Sequence, residues 1–220
     1  MDAFHALARS SPWRWRSLHF RHRDDRSPEG VEAWIVRPGW IRVQEPGWRS
    51  PRIRQDTLDE RSFTTVSFSD EPDFVPPPPP SPRWATDITP AWRPDGLVAE
   101  RPWDPYVRYD DPIHGDYTWV AMLDPEELSH HVALADLEAN QRHGRETWWA
   151  TVRAVEGYEA RCPGCCDLLW GGADAGREHL VGLDVQTGVL VSLSLVESAH
   201  RRWFIENEIV AVDDDVVVPG

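Results

Sequence analysis

At 220 residues the chain has the length for one domain with a full core, or for two small ones. Hydrophobic residues make up 40% and charged residues 27%, a globular balance, while 20 prolines and a mean hydropathy of -0.53 leave part of the chain outside any packed interior. A formal net charge of -14 argues against a nucleic-acid binder, because phosphate contact needs a basic face.

All 23 basic residues are Arg. Without Lys there is no Schiff-base chemistry, no phosphate-loop lysine and no lysine general base. Eleven of these Arg fall in residues 1 to 54, against six Asp or Glu. The opening is therefore basic and the remainder carries roughly nineteen net negative charges, a split that suits intramolecular complementarity or a polar interface. No run approaches about 18 consecutive apolar residues, so no integral membrane segment is expected. The opening "MDAFHALARSSPWRWRS" lacks the apolar stretch of a signal peptide. The expectation is a cytoplasmic protein.

Taken in chain order, "SPWRWRSLHFRHRDD" alternates Trp13 and Trp15 with Arg14 and Arg16, and Leu18 and Phe20 continue on the other phase. This predicts a strand broken by a bulge near Ser17. "VEAWIVRPGWIRVQE" predicts a hairpin turning at Pro38-Gly39, and "RIRQDTLDERSFTTVSF" two further short strands. Residues 70 to 112 hold twelve of the prolines, including the run Pro76 to Pro80. They predict a long insert without regular structure beyond a turn or two, pinned to the body by its Trp and Tyr residues. "MLDPEELSHH" predicts a short helix capped by Asp124, with Glu127 at the capping-box position. "DLEANQRHGRETWWATVRAVEGY" predicts a hairpin turning at His143-Gly144, and Gln186-Thr187-Gly188 a turn between strands ending at Leu183 and starting at Leu190. The fold class is mainly β (α+β): one domain built on a curved antiparallel sheet or half-barrel, with few short helices and the 70–112 insert.

The closing stretch "LVGLDVQTGVLVSLSLVESAHRRWFIENEIVAV" resembles the final strands of the lipoprotein-carrier superfamily, the LolA-like carriers and the sigma-factor regulators related to them. The matching features are Asp184, Thr187 and Gly188 in an Asp-x-x-Thr-Gly hairpin, the Glu127-Leu128 helix and the Gly144-Arg145 strand entry. Together they extend over about two-thirds of the chain. The resemblance implies a curved sheet around an apolar cavity for acyl chains or lipidated partners, with no catalytic residues to carry over. The proline-rich insert lies outside the family pattern.

Thirteen Trp are far more than ordinary usage. Trp suits a wide apolar wall with a polar edge, or simply the interior of a large sheet. Trp15, Trp34, Trp40, Trp148 and Trp149 are the candidate wall of an apolar ligand site. Trp148 and Trp149 point to opposite faces of their strand, so one of them should line the concave side. Cys162, Cys165 and Cys166 form a C-x2-C-C loop to which only His179 could add a fourth zinc ligand, so inert loop thiols outweigh a metal or redox centre. His130-His131 point about 100° apart on a helix, which disfavours a shared metal. Asp110, Asp111, His114 and Asp116 crowd one loop, a composition that polar loops commonly have. No nucleophile elbow, zinc-protease helix or phosphate loop occurs, and no cofactor is implied. Three readings follow. The first is a non-enzymatic binder holding an apolar ligand or a lipidated or peptide partner on an aromatic concave face. The second is a protein-interaction module with a filled core, and the third a zinc- or thiol-dependent protein.

Overall fold

The computed structural model describes residues 2–58, 81–112, 114–160, 168–169, 176–196 and 204–219. The chain opens with helix α1 (Asp2–Ala8) and continues into strands β1 (Ser17–Asp24), β2 (Val31–Val36), β3 (Trp40–Gln44) and β4 (Arg52–Gln55). The insert contributes β5 (Arg83–Trp84), β6 (Ala91–Trp92), β7 (Val98–Glu100) and β8 (Val107–Arg108). Helix α2 (Thr118–Leu123) precedes the closing strands β9 (Val132–Arg142), β10 (Arg145–Ala154), β11 (Glu178–Asp184), β12 (Leu190–Leu195) and β13 (Phe204–Val212).

Nine strands form one open antiparallel sheet in the order β4-β3-β2-β1-β13-β12-β11-β10-β9. Two sequence-local meanders thus meet along a single non-local seam, where β1 pairs with β13 from Leu18↔Val212 to Asp24↔Ile205. The mainly-β expectation holds. The hairpins at Pro38-Gly39, His143-Gly144 and Gln186 to Gly188 fall between paired strands, as their turn residues require.

Period-two alternation gives the sheet two faces. Leu18 and Phe20, Ala33 and Ile35, Ile41 and Val43, Val181 and Leu183, and Ile205 and Ile209 are buried in one core cluster. Phe4 and Leu7 of α1 pack into it, with Trp119, Met122 and Leu123 of α2 and Leu128 from the single turn Glu126–Ser129. Each such side chain contributes about 1.5–3 kcal/mol relative to exposure. The β11–β12 turn fixes α1 against this layer. Asp184 accepts from the Thr187 amide (2.8 Å) and hydroxyl (2.7 Å), and Arg145 Nε donates to its other oxygen at 2.7 Å. Gly188 has φ +72°, and a Cβ there would stand 2.9 Å from the Leu7 carbonyl.

Two buried arginines tie the insert to the sheet and to the N-terminal segment. Arg37, at the end of β2, grips Asp111 through Nε (2.9 Å) and Nη2 (2.6 Å), donates from Nη1 to the Ser11 carbonyl (2.6 Å), and lies 3.3 Å above the Trp15 ring. Both charged side chains are about 95% removed from solvent, being 5% and 4% exposed. Arg101 pairs in the same way with Asp124, whose side chain is fully buried, and reaches Glu126 at 2.8 Å and the Arg9 carbonyl at 2.8 Å.

Four expectations are corrected. Trp13 and Trp15 do not belong to a strand: Ser11–Trp13 form a single turn, Trp13 donates to the Ala85 and Ile88 carbonyls, and Trp15 enters the core, so β1 begins at Ser17 with its register shift at His19/Phe20. Asp124 ends α2 instead of capping a following helix, because Arg101 claims its carboxylate. Glu127 does not close a capping box but is buried, accepting from the Tyr158 hydroxyl and the Leu168 amide. Within the insert, residues 81–112 hold four short strands, with β5 parallel to β8 and β6 antiparallel to β7, where little more than a turn was expected. Pro76 to Pro80 and the strand expected after Arg61 lie outside the described residues. At the edge of the sheet, β9 carries Asp136 at φ +51°, opposite a register shift between Trp149 and Thr151.

The β1–β2 turn and the start of α2 share a polar joint. Asp24 accepts from the Arg26 and Ser27 amides, and Arg26 pairs with Asp116. Burial works against both carboxylates. It is outweighed at Asp24 by the His22 ring and those amides, and at Asp116 by Thr118 and Arg26, so both sit below the usual carboxylate value of 3.8. Desolvation pushes His5, His114 and His130 below their usual 6.5.

Replacing Arg37 with Met, or Asp111 with Asn, should destabilise the fold by about 3–5 kcal/mol in urea unfolding, since either leaves a buried group unpaired, whereas Arg37→Met with Asp111→Leu should recover part of the loss. A second measurement concerns pH. A histidine whose folded value is depressed binds its proton more readily in the unfolded chain, so its stabilisation is complete above 6.5 and declines as pH falls below that. The depressed carboxylates add a further loss below 3.8. Urea midpoints across pH 8 to 3 should therefore fall in two legs, and His114→Asn should shallow the first.

Candidate functional site: a charged groove on the open sheet face

The residues that alternate with the core positions point to the other face of the sheet, and there they are charged. Three cross-strand neighbours make a ladder: Glu32 on β2, Arg21 on β1 and Glu208 on β13, with Arg21 3.7 Å from Glu32 and 3.4 Å from Glu208. In the adjacent row Arg23 pairs with Glu206 at 2.5 Å. That row continues through Ser192 and Gly182 to Trp149. Small residues leave a trough there, and the Trp149 ring fills it: a Cβ on Gly182 would stand 3.1 Å from the indole. Arg142, at the tip of the β9–β10 hairpin, lies 5.6 Å from that ring and comes within 3.7 Å of Glu206. Since β9, which carries Arg142, and β13 are four strands apart in the sheet, this reach means that the sheet curls towards its charged face.

The curl and the loops leave a groove of ≈ 560 Å³. Its floor is the Arg21, Arg23, Glu32, Glu206 and Glu208 ladder; its ends are Gln44 at the close of β3 with Glu45 and Pro46 after it, and Arg142 and His143 at the hairpin tip. The floor is solvent-accessible, with Arg21, Arg23 and Glu208 at 55%, 57% and 41% exposure. Behind it a polar string enters the core. His22 Nδ1 lies 2.9 Å from Asn207 Oδ1, and Asn207 donates to the Leu190 carbonyl at 2.6 Å. Such an arrangement orders the floor from beneath, and Asp24 lies 3.3 Å from the other ring nitrogen of His22.

The five candidate Trp are not brought together. Trp15 is 2% exposed and belongs to the core beneath Arg37. Trp148 packs against the core cluster, and Trp149 faces the other way, as alternation requires. Trp34 is buried on the charged face, stacked on His19 at 4.6 Å and 13° with Arg42 at 5.6 Å, and Arg42 also holds the Pro219 carbonyl. Half-buried Trp40 shares that face, one strand further out. Trp34 and Trp149 stand five strands apart. The groove residues were missed because their charges alternate on strands distant in sequence.

The other candidate clusters separate as well. Asp111 turns inward to Arg37 and Asp116 to Arg26, while His114 packs edge-on against Trp119 and lies 3.5 Å from Glu45. His130 and His131 are both exposed, His130 at a hollow bordered by the insert and His131 with its ring against Gly157. His179 is buried on β11, and Cys162, Cys165 and Cys166 lie outside the described residues. Among the described residues no group of three or more His, Cys, Asp or Glu could hold a metal ion. A second hollow, ≈ 460 Å³, borders Arg9, Arg101, Trp103, Tyr109, Glu126 and His130, and there burial pushes the Tyr109 phenol up to about 12.

No helix among the described residues is long and apolar enough to cross a membrane. No family model matches the chain, and no curated protein does. Among solved structures the chain is similar to the crystal structure of MucB, with a TM-score of 0.40 and 11% identity over 100% of this chain. The chain spans 59% of the length of that protein. So distant a likeness carries no information on ligand or partner.

Proposed function

We propose that the chain is a non-enzymatic binding module that keeps its core face filled and meets a macromolecular partner on its open, charged face. The observation that carries this reading is the division of the sheet. On one face α1, α2 and the Glu126–Ser129 turn bury Phe4, Leu7, Trp119, Met122, Leu123 and Leu128 against the strands. On the other lies the ≈ 560 Å³ polar groove. An acyl-chain carrier needs apolar side chains around a void, because each methylene gains only about 0.8 kcal/mol when hydrocarbon replaces water. Here two of the five Trp expected to line such a void are spent on packing, Trp15 at 2% exposure and Trp34 at 5%, and the five are not gathered around one space. Charged groups on an accessible concave surface favour orientation and selection of a polar partner. This reading is the filled-core module and takes the place of the apolar-ligand carrier.

A fatty-acid series from eight to eighteen carbons decides between them. With the filled core, tryptophan emission should show no saturable change at any length in protein stripped of carried-over lipid. A saturable response whose affinity rises with acyl length would restore the carrier.

A further inference from the structure

We propose that the groove on the charged face accepts an extended, basic polypeptide segment. The inference rests on the reading of this face as the partner surface and specifies what the partner must present.

Charge comes first. The groove is bordered by Glu29, Glu32, Glu45, Glu206 and Glu208 against Arg21, Arg23 and Arg142. Every one of these arginines already faces a carboxylate inside the groove: Arg21 stands between Glu32 and Glu208, and Arg23 and Arg142 both address Glu206. An anionic partner would have to displace those internal partners, whereas a cationic one meets carboxylates with unused acceptor capacity. Glu29 makes no ion pair among the described residues, and Glu208 reaches only the guanidinium that it shares with Glu32.

Shape then separates a polypeptide from a small cation. The carboxylates are dispersed over β2, β13 and the loops before β2 and after β3, and no three acidic or metal-binding side chains among the described residues converge as a cage would need. The floor crosses four neighbouring strands from β3 to β13, about 14 Å at the usual spacing of roughly 4.8 Å. At about 3.3 Å per residue that distance holds four to five extended residues. Side chains of such a segment alternate, so every second one faces the floor, where acidic groups lie at intervals of one or two strands. The matching pattern is a basic residue at every other position.

Fluorescence anisotropy with a labelled ten-residue peptide of alternating Arg and Ser tests this on the full chain, beside peptides with Glu or Gln in place of Arg and with spermine as competitor. The Arg peptide should bind, weaken steeply from 25 to 150 mM NaCl, and exceed both analogues. The Glu29→Gln, Glu208→Gln double variant, with its melting temperature checked, should bind it about tenfold or more weakly, as the loss of two surface charges implies. His143→Asp adds a carboxylate at the rim, at a left-handed position (φ 49°) that Asp tolerates, and should tighten it. Equal or tighter binding of the Glu peptide overturns the charge assignment while leaving a partner-binding face. Displacement of the Arg peptide by equimolar spermine overturns the polypeptide assignment. Failure of all three peptides, joined to a length-dependent acyl response, removes the partner-face reading itself.

Discussion

The Arg37–Asp111 pair is the constraint on which the arrangement of this molecule depends. A guanidinium with side-chain exposure of 5% needs partners, and it takes them from three directions: a carboxylate from the insert that accepts two hydrogen bonds, a carbonyl from the turn after α1 that accepts a third, and an indole face below. Each partner comes from a different part of the chain. The insert therefore cannot leave the sheet without stranding a buried charge, and the N-terminal segment cannot move without exposing Trp15. Arg101, on Asp124, Glu126 and the Arg9 carbonyl, repeats the device at the far side of the insert. In a chain without Lys this work falls to Arg, whose planar fork engages two or three acceptors at once.

With the insert and α1 held down, the core face of the sheet is covered by one cluster of buried apolar side chains. The opposite face inherits whatever the alternate positions supply, and β1, β2 and β13 supply Arg and Glu in register. That register is made by the β1–β13 seam, which joins residues more than 180 positions apart. The charged ladder and the closure of the fold are one event. A slip of one residue along the seam would set β1 and β13 out of phase, turning either Phe20 or Ile209 outward and carrying the charged residues of that strand into the core, so the burial that fixes the fold also fixes the spacing of charges in the groove.

How much of this was legible in the sequence follows from the range of each interaction. The three hairpins were legible because a turn is decided by adjacent residues such as Pro38-Gly39 or Thr187-Gly188. Helix α2 was not: "TWVAML" is buried on every side, so it shows no amphipathic stripe, and the signal at Asp124 was read one element too late. Trp13 and Trp15 imitate a strand until Ala85, Ile88 and Arg37 draw them elsewhere, contacts that reach across 22 to 75 positions. For the groove the sequence showed only half of the pattern. "RHRD" and "IENE" each alternate visibly, but nothing local indicates that Arg21 meets Glu208 or that Arg142 arches over to Glu206.

The kink in β9 bears on the company that the sheet keeps. A terminal strand of eleven residues offers a row of backbone donors and acceptors along which another chain could continue the ladder. Asp136, held in the left-handed region against the register shift beside Trp149, interrupts that row midway, so an incoming strand would meet a broken template and a negative charge together. The edge is thereby discouraged from growing into fibres and from indiscriminate backbone pairing.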